Sequence, residues 1–195
     1  MSSVLRRRGR GLAALLVTAC AAVLVSVFSL PDSAAVNARS GAPFELTGTV
    51  QRIADGDTFI FVVGGREMTI RLASIDAPET HKNQQRPGQP MAQASRKSLE
   101  RLIRGKTLTL SCFEQDRYDR SICDVPLENG KTANQVQVET GMAWANREKR
   151  DKFLRDKSLL QRQEQAQRNR LGIWQQGQPI RPWVWRYDCW KQGQC

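Results

Sequence analysis

Three short stretches of this chain crowd carboxylates against guanidiniums: Asp55-Gly56-Asp57-Thr58, Arg71-Leu72-Ala73-Ser74-Ile75-Asp76-Ala77-Pro78-Glu79, and Asp116-Arg117-Tyr118-Asp119-Arg120. Carboxylate oxygens are the ligands that hard divalent cations prefer. Arginine forks grip phosphate oxygens two at a time. Together they supply what metal-assisted phosphodiester cleavage needs. They do so without imidazole, since His81 is the only histidine.

Each residue has a natural task in that chemistry. Asp57 and Asp76 flank turns and, with a backbone carbonyl and water, make a site for calcium or magnesium. Singly, each is an ordinary turn residue, so the case rests on the pair. Arg71 and Arg120 are the groups to meet a pentavalent phosphorus, whose extra negative charge they stabilise more than that of the substrate. Glu79 is suited to orienting or deprotonating the attacking water. Arg117 and Tyr118 share the loop of Arg120, where a tyrosine stacks on a base or hydrogen-bonds a phosphate with little sequence preference. A lone His81 supports neither a paired-imidazole mechanism nor a histidine-metal site. The tryptophans (Trp144, Trp174, Trp183, Trp185, Trp190) read as packing residues.

Strands must come first to position these groups. Residues 44–54, 58–63 and 67–75 have strand patterning, and Gly64-Gly65 supplies a hairpin turn between the second and third. In the third run Met68, Ile70 and Leu72 alternate with Thr69, Arg71 and Ala73, which turns Arg71 away from the apolar face. Pro78 and the polar residues 80–90 predict an exposed loop. Residues 91–104 predict a helix with Leu99, Leu102 and Ile103 inward and Gly105 as its stop. Strands at 107–113 and 121–127 follow, joined by the charged loop 114–120, and then helices at about 132–140 and 151–169. Five strands with a helix after the third predict an α+β fold that is mainly β, a five-stranded OB-type barrel with three helices. This domain covers residues 39–174. Residues 175–195, with two prolines and three tryptophans, predict a tail packed irregularly on it.

Charge and cysteines bound the setting. In residues 1–38, Arg6, Arg7, Arg8 and Arg10 precede an uncharged apolar run from Gly11 to Leu30, with small residues at Ser33-Ala34-Ala35 and Val36-Asn37-Ala38. The segment is either a cleaved signal peptide or an inner-membrane anchor spanning residues 11–30, so it meets the membrane in both cases. The remainder is then secreted or periplasmic. The chain of 195 residues carries a net +11; without residues 1–38 it keeps 26 basic and 18 acidic residues, a net of +8. Such an excess suits a polyanionic partner. Cys112, Cys123, Cys189 and Cys195 remain in that part, an even number that predicts disulfides. Three pairings are open, and Cys112–Cys123 across a hairpin with Cys189–Cys195 across a tail loop is the favoured one. No close Cys-x-x-Cys pair supports zinc.

The three stretches, in this order and spacing, resemble the staphylococcal (thermo)nuclease family. Further support comes from Gly88-Gln89-Pro90, Asn134, Gly141-Met142-Ala143-Trp144 and Gly172-Ile173-Trp174, so the likeness runs from about Leu46 to Trp174. The resemblance implies an OB-type barrel with three helices. It also implies calcium-dependent cleavage of DNA and RNA on the 5′-oxygen side of phosphorus, leaving 3′-phosphates. Asp57 and Asp76 would bind calcium with the Ala77 carbonyl. Arg71 and Arg120 would grip the reacting phosphate, Glu79 would act on water, and Arg117 and Tyr118 would lie beside a terminal phosphate. Asp119 stands where glycine is usual, and a carboxylate there is placed to draw Arg120 off the phosphate. Single-stranded DNA and RNA are the expected partners of a monomer. The competing reading is a catalytically silent OB module that binds nucleic acid; Asp57, Arg71, Asp76, Glu79 and Arg120, all present, argue for the enzyme.

Overall fold

The computed structural model describes residues 42–195, so residues 1–38, expected to be a signal peptide or anchor, lie outside the described residues. Five strands close into a barrel in the order β1-β2-β3-β6-β5. They are β1 (Phe44–Asp55), β2 (Thr58–Val63), β3 (Arg66–Leu72), β5 (Thr107–Gln115) and β6 (Ser121–Asp124). A two-residue strand, β4 (Ile75–Asp76), pairs outside the barrel with β7 (Trp144–Ala145). All barrel pairs are antiparallel except β3 with β6. Irregularities in the long β1 at Val50/Arg52 and Ile53/Asp55 let one strand bend and serve both β2 and β5. Closure leaves no free barrel edge.

Alternation explains the core. Phe59, Phe61, Ile70, Leu72 and Leu110 point inward and are fully buried, with Phe59 and Phe61 meeting edge to face. Gly64 and Gly65 take positive φ between β2 and β3, as the hairpin turn demands. Helix α1 (Ala92–Ile103) covers one side through Leu99 and Ile103. Helix α2 (Ala133–Glu139) starts at a reciprocal cap between Thr132 and Gln135. Helix α3 (Ser158–Arg168) buries Leu159 and Ala166.

Tertiary contacts move several boundaries. The strand expected through residue 75 breaks after Leu72, because Ser74 adopts φ 65° and reverses the chain. Its hydroxyl accepts the N–H groups of Arg155 and Asp156, which keeps residues 152–157 from joining a helix; α3 therefore begins at Ser158, not near Asp151. The strand expected to Leu127 ends at Asp124, where the Asn134 side chain takes the Val125 N–H. Nor is the tail irregular: Pro182–Trp185 forms a helical turn that widens into a π-helical stretch, Arg186–Lys191. These short turns add to the three expected helices. Disulfides join Cys112 to Cys123 and Cys189 to Cys195. Among the described residues no helix is long and apolar enough to cross a membrane.

Candidate active site

Asp57 lies in the tight turn that the Asp55–Thr58 pair closes between β1 and β2. Gly56 is required beside it, since a Cβ there would strike Ser95 and Ala77. Gln137, buried in α2, donates to the Gly56 carbonyl at 2.7 Å and holds the turn from behind. Thr58 Oγ1 and the Ala77 N–H each donate to one oxygen of Asp57 at 2.8 Å. Arg71 sits opposite Thr58 in the β2–β3 register, which brings its guanidinium over this turn. The reversal at Ser74 then carries Asp76 back alongside Arg71, and pairing with Trp144 fixes it there.

One guanidinium bridges the two carboxylates: Arg71 Nη1 lies 2.8 Å from Asp57 Oδ1, and Nη2 lies 2.7 Å from Asp76 Oδ1. Asp57 and Asp76 are 3% and 0% exposed, so these charges meet with little water between them. Charges taken out of water need such partners, or burial costs several kcal/mol for each ion. Burial pushes Asp76 up, but the charges of Arg71 and Arg186 outweigh it and hold this carboxyl below its ordinary value. Burial likewise opposes the charge on Arg71, yet Asp57 and Asp76 raise its pKa further.

Glu79 joins the group through a residue that the motifs do not contain. Arg186, from the tail, places Nη1 2.6 Å from Glu79 Oε1 and Nη2 2.8 Å from Asp76 Oδ2. Burial raises the Glu79 pKa to about 7, with Arg186 opposing and Asp76 adding to the rise. The sequence did offer one sign of Arg186, a cation set among tryptophans behind Pro182, a residue that favours the first turn of a helix. Asp55 is a second addition. It accepts from Thr80 Oγ1 and Lys82 Nζ, and burial and the charge of Asp57 raise its pKa against the pull of Lys82.

The other phosphate-binding candidates stand apart. Arg120 donates to Asp116 through Nε and Nη2, and Arg117 and Arg120 both lie over the Tyr118 ring. Burial would raise the Asp116 pKa, but hydrogen bonds from Arg120 and Tyr118 bring it below the ordinary value. Asp119 does take the positive φ of 58° that favours glycine. It is Asp116, however, and not Asp119, whose carboxylate holds Arg120. The loop is close to the carboxylate group in register, because Arg71 pairs with Ile122 in the β3–β6 ladder. Trp144, the strand partner of Asp76, also lines a cleft of about 510 Å³ with Arg147, Arg150, Arg181 and Trp183.

As a donor set, Asp57 and Asp76 fit a hard divalent cation: both are buried oxygen ligands and one fork spans them. Among the described residues no three acidic, histidine or cysteine side chains converge, so the remaining ligands would be backbone and water.

Residues 69–176 match the family described as "Staphylococcal nuclease homologue". A micrococcal nuclease of Shigella flexneri is 34% identical over 176 residues, covering 86% of this chain and 90% of its own length. An uncharacterized endonuclease of Haemophilus influenzae is 36% identical over 141 residues, covering 72% of each chain. Another from Escherichia coli O157:H7 is 32% identical over 143 residues, covering 73% of this chain and 86% of its own. With the family match over more than half of the chain, relatives aligned over most of their length and a closed five-stranded barrel, the chain belongs to the staphylococcal nuclease family and its activity class is that of a nuclease.

Proposed function

We propose that this chain is an exported, divalent-cation-dependent endonuclease that hydrolyses DNA and RNA, single strands preferentially, and leaves 3′-phosphates. The observation that carries the reading is the bridge from Arg71 to two buried aspartates at the barrel end, with Glu79 next to them. Asp57, Asp76 and the Ala77 carbonyl would hold the cation, calcium first and magnesium as the alternative. Bound there, it supplies Lewis-acid polarisation of a phosphoryl oxygen.

The side chains do the rest. Arg71 keeps a fixed positive charge at the place where the phosphate must sit, and its planar fork suits two equatorial oxygens. Arg120 leaves Asp116 and closes on the same phosphate from the β5–β6 loop, so its contact strengthens as charge builds in the transition state. Glu79 orients the attacking water and accepts its proton. Tyr118, exposed and flanked by two arginines, offers a stacking face for a base that has been freed from its partner, which favours single strands. The cleft with Arg147, Arg150 and Arg181 gives the flanking phosphates a cationic wall. Closure of the barrel suits action as a monomer. Export through residues 1–38, as a leader or an anchor, agrees with the two disulfides.

The test is a cleavage assay on single-stranded DNA and RNA with calcium, with a calcium chelator, and with Arg71→Ala. Cleavage is expected to need calcium and to disappear in the variant. Equal cleavage by wild type and Arg71→Ala would sink the assigned chemistry.

A further inference from the structure

The tail that delivers Arg186 is held in place by several independent contacts. The indole N–H groups of Trp185 and Trp190 both donate to the Pro87 carbonyl, at 3.1 and 2.9 Å. Gln89 Nε2 donates to the Ile180 carbonyl at 2.9 Å, just before the helical turn. Cys189, buried, is bonded to Cys195. Arg186 follows the Trp185 anchor directly, so its backbone is fixed on the domain. The family match ends at residue 176, ahead of Ile180, Trp185, Arg186, Cys189, Trp190 and Cys195.

From this position the guanidinium engages the group that would have to be free for catalysis. Arg186 Nη1 takes Glu79 Oε1 at 2.6 Å and Asp76 Oδ1 at 3.1 Å, while Nη2 takes Asp76 Oδ2 at 2.8 Å. Arg71 also donates to Asp76 Oδ1, so both oxygens of Asp76 already face guanidinium. A divalent cation binds carboxylate oxygen at about 2.0–2.6 Å and repels a guanidinium on the same atom. The two cannot share Asp76 Oδ2 at full strength.

We infer that Arg186 is an intramolecular plug: a tail-borne guanidinium occupies Asp76 and Glu79 in the resting enzyme and must be exchanged for the divalent cation before cleavage begins. The inference rests on the cation-dependent reading given above. Its consequence is quantitative, because apparent cation affinity is the intrinsic affinity multiplied by the fraction of molecules in which the plug has withdrawn.

Calorimetric titration of calcium chloride into the full chain, without nucleic acid, tests it in wild type, Arg186→Ala and Arg186→Lys. Arg186→Ala is expected to bind calcium about tenfold or more tightly than wild type. Arg186→Lys falls between them, since lysine keeps the charge but cannot fork across two carboxylates. A second measurement needs no variant: saturating calcium should release the restrained guanidinium of Arg186 in wild type, seen in its nitrogen-resolved magnetic resonance signals. Calcium binding that is equal or weaker in Arg186→Ala, or an Arg186 signal unmoved by calcium, overturns the plug while leaving a calcium-dependent nuclease intact. Failure of the underlying reading has another signature, in which neither protein binds calcium and no divalent ion supports cleavage by either; the plug falls with it.

Discussion

Asp57, Arg71 and Asp76 stand at strand ends and are nearly sealed from water, whereas Arg117, Tyr118 and Arg120 stand on the β5–β6 loop, where Tyr118 is 62% exposed. The first group is set before any ligand arrives, by strand register, the Ser74 reversal and backbone donors to Asp57. The second is held by contacts within the loop itself, above all Arg120 on Asp116, which the proposed function requires it to exchange for phosphate. On the proposed function, fixed charge lies at the reacting phosphate and adaptable charge lies where the polymer would enter. Preorganisation spares reorganisation cost at the reacting atoms. Mobility serves capture and release.

The largest expected effect tests the fixed half. Arg71→Ala should lower kcat by about 10³-fold and also destabilise the fold by about 3 kcal/mol, because two buried carboxylates lose their shared partner. Single-turnover cleavage and denaturant unfolding measure the two losses; an unchanged stability would erase the contrast between the halves. Arg120→Ala should cost about 10²-fold in kcat/KM while stability moves by less than about 0.5 kcal/mol, as at other partly exposed sites. A stability loss as large as that of Arg71→Ala would show that the loop is structural after all. Tyr118→Ala should weaken binding of a short single strand by about fivefold, near 1 kcal/mol, with duplex binding hardly changed. Fluorescence anisotropy on both forms of DNA decides it.

The smallest effect sharpens the comparison from the barrel side. Asp124, the last residue of β6, has its pKa raised to about 6 by burial and the charge of Asp156, against the pull of Arg155. Its folded value lies above its ordinary one, so the native state binds the extra proton. While Glu79 adds its own decline up to about 7, the contribution of Asp124 to fold stability should therefore decline as pH rises from about 4 to about 6 and be gone beyond. Asp124→Asn should lack this decline when thermal midpoints are compared across that range. A parallel course for both proteins would remove Asp124 as the cause.

The barrel was legible because its signals are local. Alternation along Met68, Ile70 and Leu72 and the Gly64-Gly65 turn specify β2 and β3 without help from the rest of the chain. The aspartates and Arg71 were legible as motifs, and the strand register brings the three side chains into contact. What escaped depends on contacts distant in sequence. Ser74 turns the chain with its hydroxyl tied to Arg155 and Asp156, some 80 residues on, and no local pattern reports that bond. The helix expected from about Asp151 starts later, because Lys149, Arg150 and Asp151 take positive φ, which no local pattern reports. Arg186 lies 110 residues from Asp76, and only the docking of Trp185 and Trp190 on Pro87 explains its approach. Asp119 was expected to draw Arg120 aside, but the hairpin turn sets Asp119 at positive φ and aims Asp116 at Arg120 instead.

The bond between Cys112 and Cys123 ties directly opposed residues of β5 and β6, just below the arginine loop. It converts the ten intervening residues into a covalent ring whose mouth cannot gape. Any excursion of Arg120 toward a phosphate is thereby confined to the rim of that ring. On the proposed function, a polymer pulling on that rim would load the cross-link before the hydrogen bonds of the barrel wall.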